Sequence, residues 1–97
     1  MKHFHFYVIY QTKPGCRDAF VREMKESGVL RIIRAEDGCL QYEYFCAEED
    51  PDRLLLVEEW ESEAKQRTHV AQPHMSVVRE LKERFVEQVT LGPFELL

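Results

Sequence analysis

The only tryptophan of this chain and two of its four histidines lie within fifteen residues of one another. Trp60 is followed by His69 and His74, and imidazole is the side chain best suited to exchanging protons near neutral pH. We expect His69 near the carboxyl end of a short helix, whose dipole favours the charged ring, and His74 in the first turn of the next helix, which favours the neutral ring. The spacing therefore predicts a proton donor and a proton acceptor. It is equally compatible with two partly buried structural histidines.

The elements that must position these side chains can be read on either side of them. Leu54-Leu-Leu-Val-Glu-Glu-Trp60 has the composition of a strand, and Ser62 is a suitable N-cap for the short helix that follows. Pro73 fits the first turn of the second helix, where its missing N–H costs nothing. The sequence predicts a strand, a short helix and a longer helix in succession.

The second helix carries an apolar stripe that begins at a histidine. His74, Val78, Leu81 and Phe85 recur at the spacing of one helix face. The His74 ring therefore either fills a niche in the core or faces a pocket between helix and sheet. In the second case we expect Val78 to line the substrate pocket.

A carboxylate lies on the same predicted strand face as the tryptophan. Glu58 precedes Trp60 by two residues, and side chains two apart point to the same side of a strand. Glu58 could orient a histidine or a substrate hydroxyl. The alternative is an exposed carboxylate at the edge of an acidic protein.

Length and charge exclude several classes of protein. The 97 residues suffice for one domain, residues 1–97, and at this size a core shared between two copies is plausible. The net charge of −5, with no Lys/Arg cluster, argues against nucleic-acid binding. The apolar runs are too short to span a bilayer and residues 1–12 do not resemble a signal peptide, so we expect a cytoplasmic protein without membrane contact.

The cysteines predict neither disulfides nor a metal site. Cys16, Cys39 and Cys46 are odd in number and lack a C-x-x-C spacing, which indicates reduced thiols. No combination of these cysteines with the histidines has the spacing that is typical of zinc sites. We therefore expect no metal.

The order of elements predicts the fold class. We expect strands over residues 3–11, 39–46 and 53–61, a helix over about 16–35 that Ser27-Gly28 interrupts, two helices after Trp60, and a last extended segment that Gly92-Pro93 bulges or ends. This order is the split β-α-β arrangement of an α+β, ferredoxin-like domain. With the helices on one face, the other sheet face should be apolar and covered by a second copy.

Four segments together resemble a known family. They are Thr12-Lys-Pro-Gly15, Glu36-Asp-Gly-Cys-Leu-Gln-Tyr42, Val57-Glu-Glu-Trp-Glu-Ser-Glu-Ala and His69-Val-Ala-Gln-Pro-His74-Met. The chain resembles the antibiotic biosynthesis monooxygenase (ABM) domain family over roughly residues 7 to 85, and within it the quinol monooxygenase-like branch. The string E-x-W-x-S-x-A-x4-H-x3-P-H is specific for the family and much less specific for the substrate.

The resemblance implies a fold and a reaction. The fold is a dimeric α+β barrel, in which the ferredoxin-like sheets of a homodimer face each other and the helices lie outside. The reaction is the oxidation of a quinol or polycyclic phenol by O₂ without flavin, haem or metal, so no cofactor is expected. A deprotonated phenol can itself pass an electron to O₂, and the protein has to supply a desolvated aromatic pocket, a base and a donor for the developing charge.

The resemblance also suggests a role for each matching residue. Trp60 would form an aromatic wall, and Tyr42 a wall or a hydrogen-bond donor. His69 and His74 would be the polar groups beside the substrate, with His74 as the base. Glu58 would be an orienting carboxylate.

Two further functions stay open. The chain contains no asparagine, whereas the antibiotic-pathway oxygenases and the haem-degrading branch resemble one another in using a pocket Asn, so neither assignment fits well. Another branch resembles this chain in its H-x3-P-H helix start and isomerises a phosphorylated signalling sugar; the acidic surroundings make that reading second. The domain could also bind small aromatic molecules without turnover.

Overall fold

The computed structural model describes residues 2–97. Its elements, in chain order, are β1 Phe4–Thr12, α1 Arg17–Glu26, α2 Val29–Arg34, β2 Cys39–Cys46, β3 Arg53–Trp60, α3 Glu63–Val70, α4 Met75–Phe85 and β4 Val86–Phe94. The four strands form one sheet in the order β2-β3-β1-β4, with every neighbouring pair antiparallel. This is the ferredoxin-like α+β arrangement that the element order predicts.

One face of the sheet and the inner faces of the helices make the core. Alternate residues of β3 are buried, from Leu54 to Trp60, because every second side chain of a strand points to the same side. Phe20 and Met24 of α1 and Val78 and Leu81 of α4 pack onto this face. The side chains of the site are therefore attached to a sheet and helices that the hydrophobic effect packs together.

A glycine divides the predicted first helix in two. Gly28 has a φ of 84° and lies between α1 and α2. A residue with a side chain is disfavoured in this left-handed conformation, whereas glycine adopts it without a steric penalty. The expected interruption at Ser27-Gly28 is confirmed.

Two sequence expectations about element ends need correction. The helix expected to include Pro73 in its first turn begins at Met75, with His74 as its N-cap and Pro73 in the turn before it. The segment Gly92-Pro93 neither bulges nor ends its strand, since Pro93 pairs in register with Phe6. Proline is tolerated there because β4 is an edge strand, where the missing N–H need not have a partner.

The second face of the sheet is mixed rather than uniformly apolar. Half-buried Tyr7, Ile9 and Val57 lie on it among polar side chains such as Gln11 and Glu59.

Over residues 2–97, no helix combines the length and the hydropathy that crossing a membrane requires.

The turn between α2 and β2 approaches α3 closely at a glycine. A Cβ placed on Gly38 would lie 2.7 Å from Cγ and 2.9 Å from Cβ of Lys65, and the φ of Gly38 is 85°. Gly15 has a similar φ of 76°, but a Cβ there would meet nothing within 4 Å. Substitution of Gly15 therefore introduces only backbone strain, whereas substitution of Gly38 introduces both strain and a clash with α3.

We expect Gly38→Ala to destabilise the protein more than Gly15→Ala. Both variants place alanine in a left-handed conformation, at about 1–2 kcal/mol, and only Gly38→Ala also displaces α3. Denaturant unfolding of both variants measures the difference. Equal losses of unfolding free energy would show that the packing of this turn against α3 contributes nothing to stability.

Candidate active site

The carboxylate of Glu36 contacts both His69 and His74. Its Oε2 lies 2.7 Å from Nε2 of His74 and 3.0 Å from Nδ1 of His69, and its Oε1 lies 3.1 Å from the same His69 nitrogen. The three residues come from the α2–β2 turn, the end of α3 and the start of α4. We call them the Glu36 cluster.

The contacts of α3 with its N-cap and with the α2–β2 turn place His69 in this cluster. It lies near the carboxyl end of α3, as predicted, and α3 begins at Ser62, whose Oγ accepts a hydrogen bond from the Lys65 N–H at 3.2 Å. The Lys65 ammonium then pairs with Asp37, the residue after Glu36. The same turn therefore holds α3 at its first turn and, through Glu36, at its last.

Aromatic rings enclose the His69 imidazole. The Trp60 ring lies over it with 4.7 Å between centroids and 32° between planes. The Tyr42 ring meets it edge-on at 5.6 Å. His69 is 2% exposed and Trp60 is completely buried, so the ring pair is shielded from water.

Glu58 bonds to the tryptophan rather than to a histidine. Its Oε1 accepts a hydrogen bond from Nε1 of Trp60 at 2.9 Å. Glu58 is 3% exposed, which excludes the alternative of an exposed edge carboxylate. Burial raises the pKa of Glu58 to about 7, the Trp60 hydrogen bond opposes that rise, and the nearby Glu36 carboxylate adds to it. Glu58 can therefore hold or release a proton near neutral pH.

The groups around Glu58 keep their protons. Burial, followed by the Glu58 charge, raises the pKa of the Tyr10 hydroxyl. Burial is also the largest cause that raises the pKa of the Tyr42 hydroxyl, with smaller contributions from Tyr44 and Tyr10. Burial, then Glu36 and Glu58, raises the pKa of the Cys39 thiol to about 11. These neutral phenols and this thiol make a weakly polar surrounding for the two carboxylates.

The structure brings five of the six predicted site residues together, although two of the five, Trp60 and Tyr42, are also members of the hydrophobic core. His69, His74, Trp60, Tyr42 and Glu58 lie around the Glu36 cluster or in contact with it. Val78 is 2% exposed and belongs to the hydrophobic core.

Sequence reasoning missed the residue at the centre of the site. Glu36 is separated from His69 and His74 by 33 and 38 positions, and neither spacing in the sequence indicates a contact. Its sequence signals are its place in Glu36-Asp-Gly, where a helix ends at a tight turn, and at the start of the segment Glu36-Asp-Gly-Cys-Leu-Gln-Tyr42 that resembles the family.

Access to the cluster is unequal among its members. The side chain of His74 is 21% exposed, that of Glu36 11% and that of His69 3%. A cleft of about 370 Å³ lies next to Tyr42 and is lined by Arg34, Cys39, Leu40, Gln41, Tyr42 and Glu43. A molecule arriving from solvent would meet His74 first.

The other two histidines lie elsewhere. Nδ1 of His3 lies 2.6 Å from Oε2 of Glu59, and Nε2 of His5 lies 3.8 Å from the same oxygen. They border an open cleft of about 560 Å³ that Phe94 also lines. Within residues 2–97, no three His, Cys, Asp or Glu side chains are arranged to hold a metal ion.

The fold and the Glu36 cluster define a small α+β protein with an enclosed carboxylate–imidazole site. Residues 4–81 match the model of a protein family described as antibiotic biosynthesis monooxygenase. This chain belongs to that family, as its sequence motifs predict.

Solved structures share the whole fold at low sequence identity. The Pseudomonas aeruginosa protein PA3566 is 23% identical, with a TM-score of 0.85 over 100% of this chain and 96% of that one. A conserved protein from Methanosarcina mazei is 21% identical, with a TM-score of 0.85 over 97% and 92%. A protein named antibiotic biosynthesis monooxygenase is 22% identical, with a TM-score of 0.81 over 97% and 98%. Among curated proteins, none matches this chain significantly.

We expect replacement of Glu58 by glutamine to change how stability depends on pH. The folded-state pKa of about 7 lies above the unfolded value of 4.5, so the folded protein binds more protons than the unfolded chain between these values. The contribution of Glu58 to stability should therefore fall as the pH rises from 4.5 to 7, by about 3 kcal/mol. Glutamine keeps an acceptor for Trp60 but does not ionise.

The measurement is the free energy of unfolding of Glu58→Gln and wild type across this pH range. The free energy of unfolding of Glu58→Gln relative to wild type should rise from pH 4.5 to pH 7 and stay constant above that. Glu59→Gln, on the opposite face of the same strand, is the matched control. A constant difference between Glu58→Gln and wild type would show that Glu58 does not titrate in this range.

Proposed function

We propose that this protein is a cofactor-independent monooxygenase that oxidises a quinol or polycyclic phenol with O₂. The observation that supports the proposal is the Glu36 cluster, which combines proton-transfer groups with aromatic shielding in a member of the ABM family. Phenol oxidation by O₂ needs a proton acceptor in a place from which water is excluded. The cluster supplies both.

The proposed reaction begins with removal of a phenolic proton. The resulting phenolate passes electrons to O₂ far more readily than the phenol does. For a hydroquinone, the ring C–H becomes C–OH and the two phenolic groups become carbonyls, a loss of four electrons. O₂ accepts all four, so that one oxygen atom enters the product as the new hydroxyl and the other leaves as water. Atoms and electrons balance with the quinol as the only reductant.

Each residue of the site has a proposed task in this scheme. His74, the most exposed member of the cluster, takes the phenolic proton. Glu36 bears the opposite charge beside the imidazolium that forms, which stabilises it. Glu58, with its pKa near 7, is the second group able to take up or supply a proton.

The tryptophan and tyrosine rings provide the surface for an aromatic ring. Trp60 is completely buried and Tyr42 is 3% exposed, so a substrate reaches these rings only when the overlying helices move. Such an opening is plausible at α3, whose buried residues are the polar Gln66 and His69. A helix without an apolar face is held by less hydrophobic energy than its neighbours. Val78 would line the pocket only after the same movement.

The homodimer is part of the proposal. Tyr7, Ile9, Leu55 and Val57 lie half-buried on the second face of the sheet. A second copy that covered these side chains would bury them fully and close the dimeric barrel that the family resemblance implies.

The isomerase of a phosphorylated sugar is less well supported. A phosphate placed beside His74 would lie close to the Glu36 carboxylate, and Glu58 lies within range of electrostatic interaction. Like charges at this separation oppose binding. The acidic site thus favours a substrate that arrives neutral over one that arrives as an anion.

We expect His74→Ala to lower oxygen uptake with quinol substrates by about 10²–10⁴-fold, the usual contribution of a general base. His69→Ala should have a smaller effect on the proton-transfer step, because the His69 side chain is 3% exposed whereas that of His74 is 21% exposed. Oxygen consumption by purified, metal-free protein with a panel of hydroquinones and anthrones measures both. His3→Ala, on the opposite sheet face, is the matched control and should retain wild-type uptake.

Two outcomes would contradict the proposal. Oxygen uptake by the wild type that His74→Ala and His69→Ala leave unchanged would remove the histidines from the mechanism. No uptake with any substrate, while the same compounds quench Trp60 fluorescence, would indicate a domain that binds aromatic molecules without oxidising them.

A further inference from the structure

We infer that Glu36 is a positioning residue that holds the two histidines in opposite tautomers, with the proton of His69 on Nδ1 and that of His74 on Nε2. This leaves Nδ1 of His74 as the accessible proton acceptor of the site. The assignment of tautomers rests on geometry alone, whereas the use of that acceptor rests on the proposed function.

The Glu36 carboxylate decides which nitrogen of each imidazole carries the hydrogen. An ionised carboxylate has acceptor sites only, so each ring nitrogen that bonds to it must carry a hydrogen. Glu36 approaches Nδ1 of His69 and Nε2 of His74 at 3.0 and 2.7 Å, both ordinary hydrogen-bond lengths. A neutral imidazole carries one hydrogen. Once Glu36 has fixed where that hydrogen lies, the other nitrogen of each ring is a lone pair.

The two free lone pairs have different surroundings. Nε2 of His69 belongs to a ring enclosed between Trp60 and Tyr42, with 3% of its side chain exposed. The indole N–H of Trp60 is already donated to Glu58, and so it does not serve His69. The His74 side chain is 21% exposed, and its ring makes no capping bond to α4. The His74 lone pair is therefore the more accessible of the two to a molecule from solvent.

The same carboxylate prepares His74 for the charge it would acquire. When Nδ1 takes a proton, the Nε2–H is already hydrogen-bonded to Glu36, and the new positive charge lies beside a negative one. No side chain has to reorient at that moment. Glu36 acts on the reaction only through the two imidazoles and does not itself need to touch the substrate.

The test is a long-range ¹H–¹⁵N NMR spectrum of the imidazole rings of uniformly ¹⁵N-labelled full-length protein, without substrate, at about pH 8.5, where imidazole is neutral. The chemical shifts of the two nitrogens report which one carries hydrogen. We expect the Nδ1–H pattern for His69 and the Nε2–H pattern for His74. An Nε2–H pattern for His69 in the wild type would overturn the inference.

Glu36→Gln separates positioning from mere structural support. Its amide accepts from one ring and donates to the other, so one histidine should keep its tautomer and the other should reverse. Glu59→Gln is the matched control: it faces His3 and His5, and should leave His69 and His74 unchanged. Unchanged tautomers of both His69 and His74 in folded Glu36→Gln would also overturn the inference. If that variant does not fold, the wild-type spectrum decides alone.

The outcome is independent of the proposed function. The predicted tautomers without any oxygen uptake would refute the monooxygenase and leave the inference standing. Histidine-dependent uptake with the opposite tautomers would do the reverse.

Discussion

The Glu36 carboxylate contacts two imidazoles at once, and the placement of α3 and of the start of α4 depends on it. Through His69 it holds the end of α3, and through His74 it holds the start of α4. The Glu36 side chain is only 11% exposed, so its carboxylate is partly desolvated, and two ring N–H donors offset much of that cost. The contact therefore gives the carboxylate oxygens hydrogen-bond donors. It also joins the α2–β2 turn to the end of α3 and to the start of α4.

The α3 helix shows why such a joint is needed. Its buried residues are Gln66 and His69, so it has no apolar face to press onto the sheet. Polar contacts take that place: the Ser62 cap, the Lys65–Asp37 ion pair and the bond from Glu36 to His69. Helices α1 and α4, in contrast, bury apolar side chains such as Phe20 and Leu81. The site thus lies where the core changes from apolar to polar.

The sequence predicts the framework of the protein well for identifiable reasons. Alternation in β1 and β3, and Gly28 between α1 and α2, are local signals, and local signals suffice for strands and helix ends. The shared face of Glu58 and Trp60 follows from strand geometry in the same way. The segment Gly92-Pro93 misleads because proline is disruptive only inside a sheet, and whether β4 is an edge strand depends on a topology that is not local.

The site is less predictable because its contacts join distant parts of the chain. The bonds from Glu36 to the two histidines, and the choice of Trp60 rather than a histidine as the partner of Glu58, depend on how α3 lies across the sheet. Burial is a second property that spacing does not reveal. The family resemblance makes Trp60 an aromatic wall of the pocket. In this structure its ring is completely covered, and its role as a substrate surface stays a prediction.

The central claim is that an aromatic substrate binds among Trp60, His69 and His74, on the helix side of the sheet. The most direct measurement is an anaerobic titration with a hydroquinone, followed through the ¹H–¹⁵N signals of the Trp60 indole and the histidine rings. Our account predicts saturable shifts of the Trp60 and His74 signals, with those of His3 and His5 unchanged. Shifts confined to His3 and His5 would place the ligand on the opposite face of the sheet and contradict the account.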